Sequence, residues 1–84
     1  MSQVAARVYD FTLVLAGENE LTADVADALY EAGCDDASVW SEGLIMYLDF
    51  HREAGSLGDA IGSAIKNIEA AGYTISRVDV APTA

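Results

Sequence analysis

Residues 37–50 read ASVWSEGLIMYLDF, two runs rich in β-branched and aromatic residues, ASVWS and LIMYLDF, on either side of Glu42-Gly43. A short glycine-bearing gap between two such runs marks a hairpin, although Glu is a poorer first turn residue than Asn or Asp. What flanks this hairpin decides the fold.

Upstream, LTADVADALYEAGCDD (21–36) carries Leu21, Val25, Ala28, Leu29 and Ala32 at helical spacing. Thr22 offers a hydroxyl to the free amides of a first turn, and Gly33 supplies the left-handed stop. Further upstream, VYDFTLVLA (8–16) alternates, with Tyr9, Phe11, Leu13 and Leu15 on one face and Asp10, Thr12 and Val14 on the other. That period of two is a half-buried strand.

Downstream, Ser56 and Asp59 resemble a capping box with Asp in place of Glu. Leu57, Ile61, Ala64, Ile65 and Ile68 then line one helix face as far as Gly72. TISRVDV (74–80) closes the chain as a β-branched strand in which Ile75 and Val78 fall on opposite parities, which calls for a bulge or a late start.

The order is therefore βαββαβ, the split βαβ or ferredoxin-like pattern of the α+β class. It implies a four-stranded antiparallel sheet with two helices on one face, the other face open, and strands one and three as central neighbours. No Pro- or Ser-rich linker or repeat interrupts the chain. A single domain over 1–84 is expected, with an ordered core from about 7 to 81 and frayed ends at 1–6 and 82–84.

Fourteen Asp and Glu against four Lys and Arg give a net charge of −10. That balance repels phosphate backbones and argues against direct nucleic-acid binding. Apolar residues make up 52% of the chain, too many for an acidic disordered tail. A single cysteine and no apolar run of membrane length predict a cytoplasmic protein with no membrane association.

Glu18, Glu20, Asp24, Asp27, Glu31, Asp35 and Asp36 fall within a stretch containing no Lys or Arg. At 100° per residue Asp24, Asp27 and Glu31 lie within about 60° of one another, opposite Val25, Leu29 and Ala32. An ordinary solvated helix face mixes Lys with Glu and gains a few tenths of a kcal/mol per pair. Asp24 complements the helix dipole; Glu31, near the other end, opposes it.

If Phe11, Leu13, Met46, Leu48 and Phe50 face the helices, the open face carries Asp10, Thr12, Val14, Ile45, Tyr47 and Asp49, with Trp40 at the edge. RNA-binding sheets of this strand order set aromatics among basic residues. Here the acids Asp10 and Asp49 flank Tyr47 instead. Both surfaces read either as solvated faces that serve solubility or as contacts for a basic partner, and on the second reading the candidate partner-binding residues are Asp24, Asp27, Glu31, Asp35 and Asp36, together with Asp10, Tyr47, Asp49 and Trp40.

Catalysis has little to stand on. His51 reads as a strand-end residue and Cys34 as a small buried side chain, with no companion spacing for a nucleophilic or metal site. Asp35-Asp36 alone lacks the ligand count of a calcium loop. Gly58 and Gly62 read as a smooth helix face that packs on the sheet or the first helix. Arg7, Arg52, Lys66 and Arg77 are too scattered for the phosphate site of an acylphosphatase-like enzyme. No enzymatic activity, cofactor or metal is expected.

EAGCDDA (31–37), LDFHREAGS (48–56), AIGSAI (60–65) and AAGYTISRV (70–78) are similar to the N-terminal module of small proteobacterial helix-turn-helix proteins, over about Tyr9 to Val80. The resemblance implies an interaction or regulatory module rather than an enzyme. Proteins of that family continue into a DNA-reading helix-turn-helix, whereas this sequence stops at Ala84 and is expected to act alone. In size and charge it resembles the inhibitors that phages and mobile elements direct against nucleases and CRISPR complexes, and some antitoxins. The expected function is to inhibit or regulate a nucleic-acid-binding partner by occupying its basic surface, as a monomer or homodimer. The alternative is a self-associating regulatory domain of a transcriptional regulator.

Overall fold

The computed structural model describes residues 6–80 and contains, in order, β1 (Arg7–Leu15), α1 (Ala23–Glu31), β2 (Ala37–Glu42), β3 (Ile45–Ala54), α2 (Leu57–Ala70) and β4 (Ile75–Val80). The strands form one antiparallel sheet in the order β2-β3-β1-β4, with β1 and β3 central. The fold is the ferredoxin-like α+β arrangement. The residues expected to fray fall almost wholly outside the described span.

Each helix begins and ends where its sequence demands. Thr22 Oγ1 accepts the Val25 amide and Ser56 Oγ accepts the Asp59 amide, at 3.2 and 3.1 Å. Both helices stop in the same way. Gly33 at φ +117° and Gly72 at φ +96° let the chain double back, so that Cys34 donates to Leu29 and Tyr73 to Ile68 across the last turn.

The core lies between the helices and one sheet face. Phe11, Leu13, Leu15, Met46, Leu48 and Phe50 meet Leu29 from α1 and Ala60, Ala64 and Ile68 from α2. Phe11 and Phe50, opposite each other in the register, stack with centroids 5.3 Å apart. The two helices share this work unequally. α2 buries three residues completely, α1 only Leu29.

Four local expectations are corrected. The hairpin turn is Gly43-Leu44 rather than Glu42-Gly43: Glu42 and Ile45 pair, and Gly43 takes φ +61° at the first turn position, as a type II′ turn requires. β3 runs on to Ala54, past the polar residues that made His51 read as a strand end, because β1 pairs with it as far as Arg7 opposite Ala54. Ala28 is exposed on α1 rather than part of its buried stripe. Among the described residues a Cβ on Gly62 would meet nothing within 4 Å, and one on Gly58 only the Ser56 hydroxyl at 3.9 Å, so that smooth face packs on neither the sheet nor the first helix. The expected irregularity in β4 is present as a register shift between Val14 and Leu15 that leaves Ser76 extra.

Candidate functional site

The sheet's open face is built in cross-strand rows. One row runs Trp40, Tyr47, Val14, Arg77 and the next Ser38, Asp49, Thr12, Asp79. Trp40 and Tyr47 stack at 4.1 Å between centroids, 8° from parallel. Val14, expected on a solvated face, is instead 2% exposed, because it sits between Tyr47 and Arg77.

Asp49 is held from two sides. Thr12 Oγ1 donates to one carboxylate oxygen at 2.6 Å and Trp40 Nε1 to the other at 2.9 Å. Asp10 meets His51 Nδ1, its register partner, and Arg77 Nε donates to Asp79 at 3.1 Å. The Asp79 carboxylate keeps the Arg77 guanidinium charged, raising its pKa. Asp10, Thr12, Asp49, His51 and Asp79 rim a shallow depression of about 260 Å³. Three carboxylates come together here, and each is already engaged by its neighbours. Among the described residues Glu42 and Glu53 on this face make no ion pair, and they lie at opposite ends of the hairpin.

On the helix side, the α1 exit loop is tied down by Arg52. Its side chain points inward beside Phe50, with the guanidinium 5.0 Å from the ring centroid. All five N–H groups are used. Nε and Nη2 fork onto the two oxygens of Asp36 at 2.8 Å each, Nη2 also donates to Gly33 O, and Nη1 donates to Ser63 Oγ and Asn67 Oδ1. The fork holds the Asp36 carboxyl below its ordinary range. Gly33 completes the joint, since a Cβ there would lie 2.8 Å from the Asn67 side chain. Cys34, buried beneath this loop, has its thiol pushed up to about 11 by burial, which keeps it protonated and unreactive at neutral pH.

Asp36 thus leaves the candidate docking set, because it is committed to Arg52. Asp24, Asp27, Glu31 and Asp35 are exposed and, among the described residues, no cation or side-chain donor meets them. The same holds for Glu18 and Glu20 in the loop leading into α1. The ridge points away from the sheet because Leu29, on the opposite side of the helix, points into the core.

Sequence reasoning missed Tyr30. It is 63% exposed and borders Asp27 on the outer face, an aromatic surface left uncovered beside the acids. Its position one residue after the buried Leu29, 100° around the helix, was the available signal. Among the described residues, no three His, Cys, Asp or Glu side chains are grouped to hold a metal ion, and no helix is long and apolar enough to cross a membrane. Comparison with models of known protein families, with curated proteins and with solved structures finds no match.

Proposed function

We propose that this chain is a non-enzymatic, cytoplasmic binding protein that inhibits or regulates a nucleic-acid-binding partner, docking α1 onto the basic surface that otherwise takes phosphate. One observation carries the reading: among the described residues Asp24, Asp27, Glu31 and Asp35 are exposed and uncompensated, while Asp36 next to them is matched to an arginine. Among the described residues other exposed acids also lack an ion pair, but Glu42 and Glu53 lie at opposite ends of the hairpin and Asp59 and Glu69 at opposite ends of α2, whereas these four, with Glu18 and Glu20 leading into α1, crowd one helix and its flanks.

The geometry suits a row of cations. At about 1.5 Å of rise per residue, Asp24, Asp27 and Glu31 follow one another at about 4.5 and 6 Å along the axis, a row of like charges somewhat sparser than the roughly 3.4 Å spacing of phosphates along one strand. Tyr30 adds a face on which an arginine guanidinium can stack. Like-charge repulsion along the ridge disfavours the free helix and is relieved when a cationic surface arrives, which favours cationic over neutral partners.

The test is capture from the native cell on immobilised protein, wild type against the triple variant Asp24→Lys, Asp27→Lys, Glu31→Lys. Wild type should retain a nucleic-acid-binding protein that is released by salt and by added DNA or RNA, and the triple variant should retain none. Equal retention by both, or a partner indifferent to nucleic acid, contradicts the proposal.

A further inference from the structure

The two edges of the sheet are defended differently. β4 carries a register shift and the charged pair Arg77 and Asp79, two of the devices that stop an edge from templating another strand. β2, at the other edge, is regular throughout its pairing with β3 and has one charged residue, Glu42, at its end. It also carries Trp40, which is 40% exposed.

The free backbone groups of β2 follow from its register. Directly opposite residues in an antiparallel pair alternate between hydrogen-bonded and non-bonded. The His51 amide donates to Asp36 O at 3.0 Å, which makes Asp36, Ser38, Trp40 and Glu42 the residues bonded to β3. Ala37, Val39 and Ser41 therefore turn their amides and carbonyls outward. The Ala37 amide is already taken by Cys34 O at 3.2 Å. What remains available, among the described residues, is the N–H and C=O of Val39, the N–H and C=O of Ser41, and the Ala37 carbonyl.

We propose that two copies of this chain pair through β2, antiparallel about a two-fold axis at Trp40, joining the sheets into one of eight strands. In this register Val39 of each copy faces Ser41 of the other, so four hydrogen bonds use the four free groups of each Val39-Ser41 pair and none needs the occupied Ala37 amide. Trp40 meets its own copy as the non-bonded pair at the axis, where side chains come closest. Ser38 lies opposite Glu42, so no two carboxylates oppose each other. Moving the axis to Val39 would demand the occupied Ala37 amide and set Asp36 opposite Glu42. With every free donor and acceptor of Val39 and Ser41 matched, an apolar axis and no opposed carboxylates, a second copy is the occupant this edge fits as it stands.

A six-residue edge buries less surface than a stable dimer needs, and two chains of charge −10 repel. Association is therefore weak and strengthened by salt, the reverse of the salt response of α1 docking. The test is sedimentation across protein concentration at low and high salt, with the fluorescence of the single Trp followed in parallel. Wild type should form a reversible dimer favoured by salt, with Trp40 emission shifting as it forms and the Val39 and Ser41 amides gaining exchange protection only in the dimer.

Ser41→Pro removes an outward amide, a change edge strands tolerate. It should keep the monomer's circular dichroism and weaken the dimer on the order of tenfold or more. A second variant, Trp40→Lys, sets two ammonium groups at the axis and should abolish the dimer in sedimentation; because it also removes the bond to Asp49 and the stack on Tyr47, its fold is checked by circular dichroism alongside. A wild type that stays monomeric at every concentration and salt, a dimer that survives both substitutions, or a dimer with unprotected Val39 and Ser41 amides overturns the proposal. Neither variant touches α1, so these outcomes are separate from those of the docking test.

Discussion

On the open sheet face Asp10, Asp49 and Asp79 are each held by a neighbour, whereas on the helix side Asp24, Asp27, Glu31 and Asp35 are held by none among the described residues. The first set is built into the fold, and the second is carried by it. A carboxylate gripped by Thr12 and Trp40 at once orients an aromatic and contributes to stability. A carboxylate on α1 contributes little to stability and its charge remains available to a partner. The difference teaches that counting acids does not locate a docking surface. What matters is which acids lack an internal partner.

The difference also has a mechanical side. α2 is locked by three fully buried residues and by Ser63 and Asn67 on Arg52, while α1 hangs on Leu29, on the partly buried Val25 and on the Gly33–Asp36 loop that Arg52 grips. Arg52 is thus the joint through which a helix with a small apolar footprint keeps a defined place.

The sharpest way to break the contrast is to remove that joint. Arg52→Met strands Asp36, Gly33 O and Asn67 at once and should destabilise the protein by about 3 kcal/mol, read from denaturant midpoints. Of marginal stabilities of about 5–15 kcal/mol, this is a large share. A loss below about 1 kcal/mol would show that the network is ornamental.

Acid should act on the same joint. Because Arg52 holds the Asp36 carboxyl below its unfolded value of about 3.9, the pair's contribution is fully present above that pH and is lost as pH falls through the lower folded value. Stability of the wild type should therefore drop below about pH 4 more steeply than that of Arg52→Met. Parallel profiles would assign the acid response to other carboxylates.

Asp49→Ala should come next, at roughly 1–2 kcal/mol, since it unpairs Thr12 and the Trp40 indole at a half-exposed position. Trp40 emission should change with it. Smallest of all, Asp24→Lys with Asp27→Lys and Glu31→Lys should move stability by no more than about 0.5 kcal/mol, since the dipole loss at Asp24 is offset by the gain at Glu31 while like-charge repulsion along the ridge is exchanged for repulsion of the opposite sign. A large loss there would place these acids in the fold after all.

Much of the architecture was legible because periodicity and caps are local signals. Phe11, Leu13, Met46, Leu48 and Phe50 declared the core face by parity, and Thr22, Gly33, Ser56 and Gly72 declared the helix ends. The hairpin is legible but its turn lies one residue later than the Glu42-Gly43 pair suggests, since Gly43 at φ +61° takes the first turn position and Glu42 stays paired with Ile45. Of the candidate site, the α1 ridge followed from helical spacing, but the fate of each acid did not. Asp35 and Asp36 are adjacent and chemically alike, and only the register that carries Arg52 inward past Phe50 selects Asp36. The burial of Val14 was hidden for the same reason, because it depends on Tyr47 and Arg77 arriving from two other strands.

The most direct measurement sets the two acid sets against each other. Binding isotherms of the captured partner would be recorded for the wild type, for Asp24→Lys/Asp27→Lys/Glu31→Lys, and for Asp10→Asn/Asp79→Asn. Binding should vanish with the α1 variant and stay within about threefold of wild type with the sheet variant, a difference in the second case below about 0.7 kcal/mol. Undiminished binding by the α1 variant, or loss confined to the sheet variant, would contradict the assignment of α1 as the docking surface.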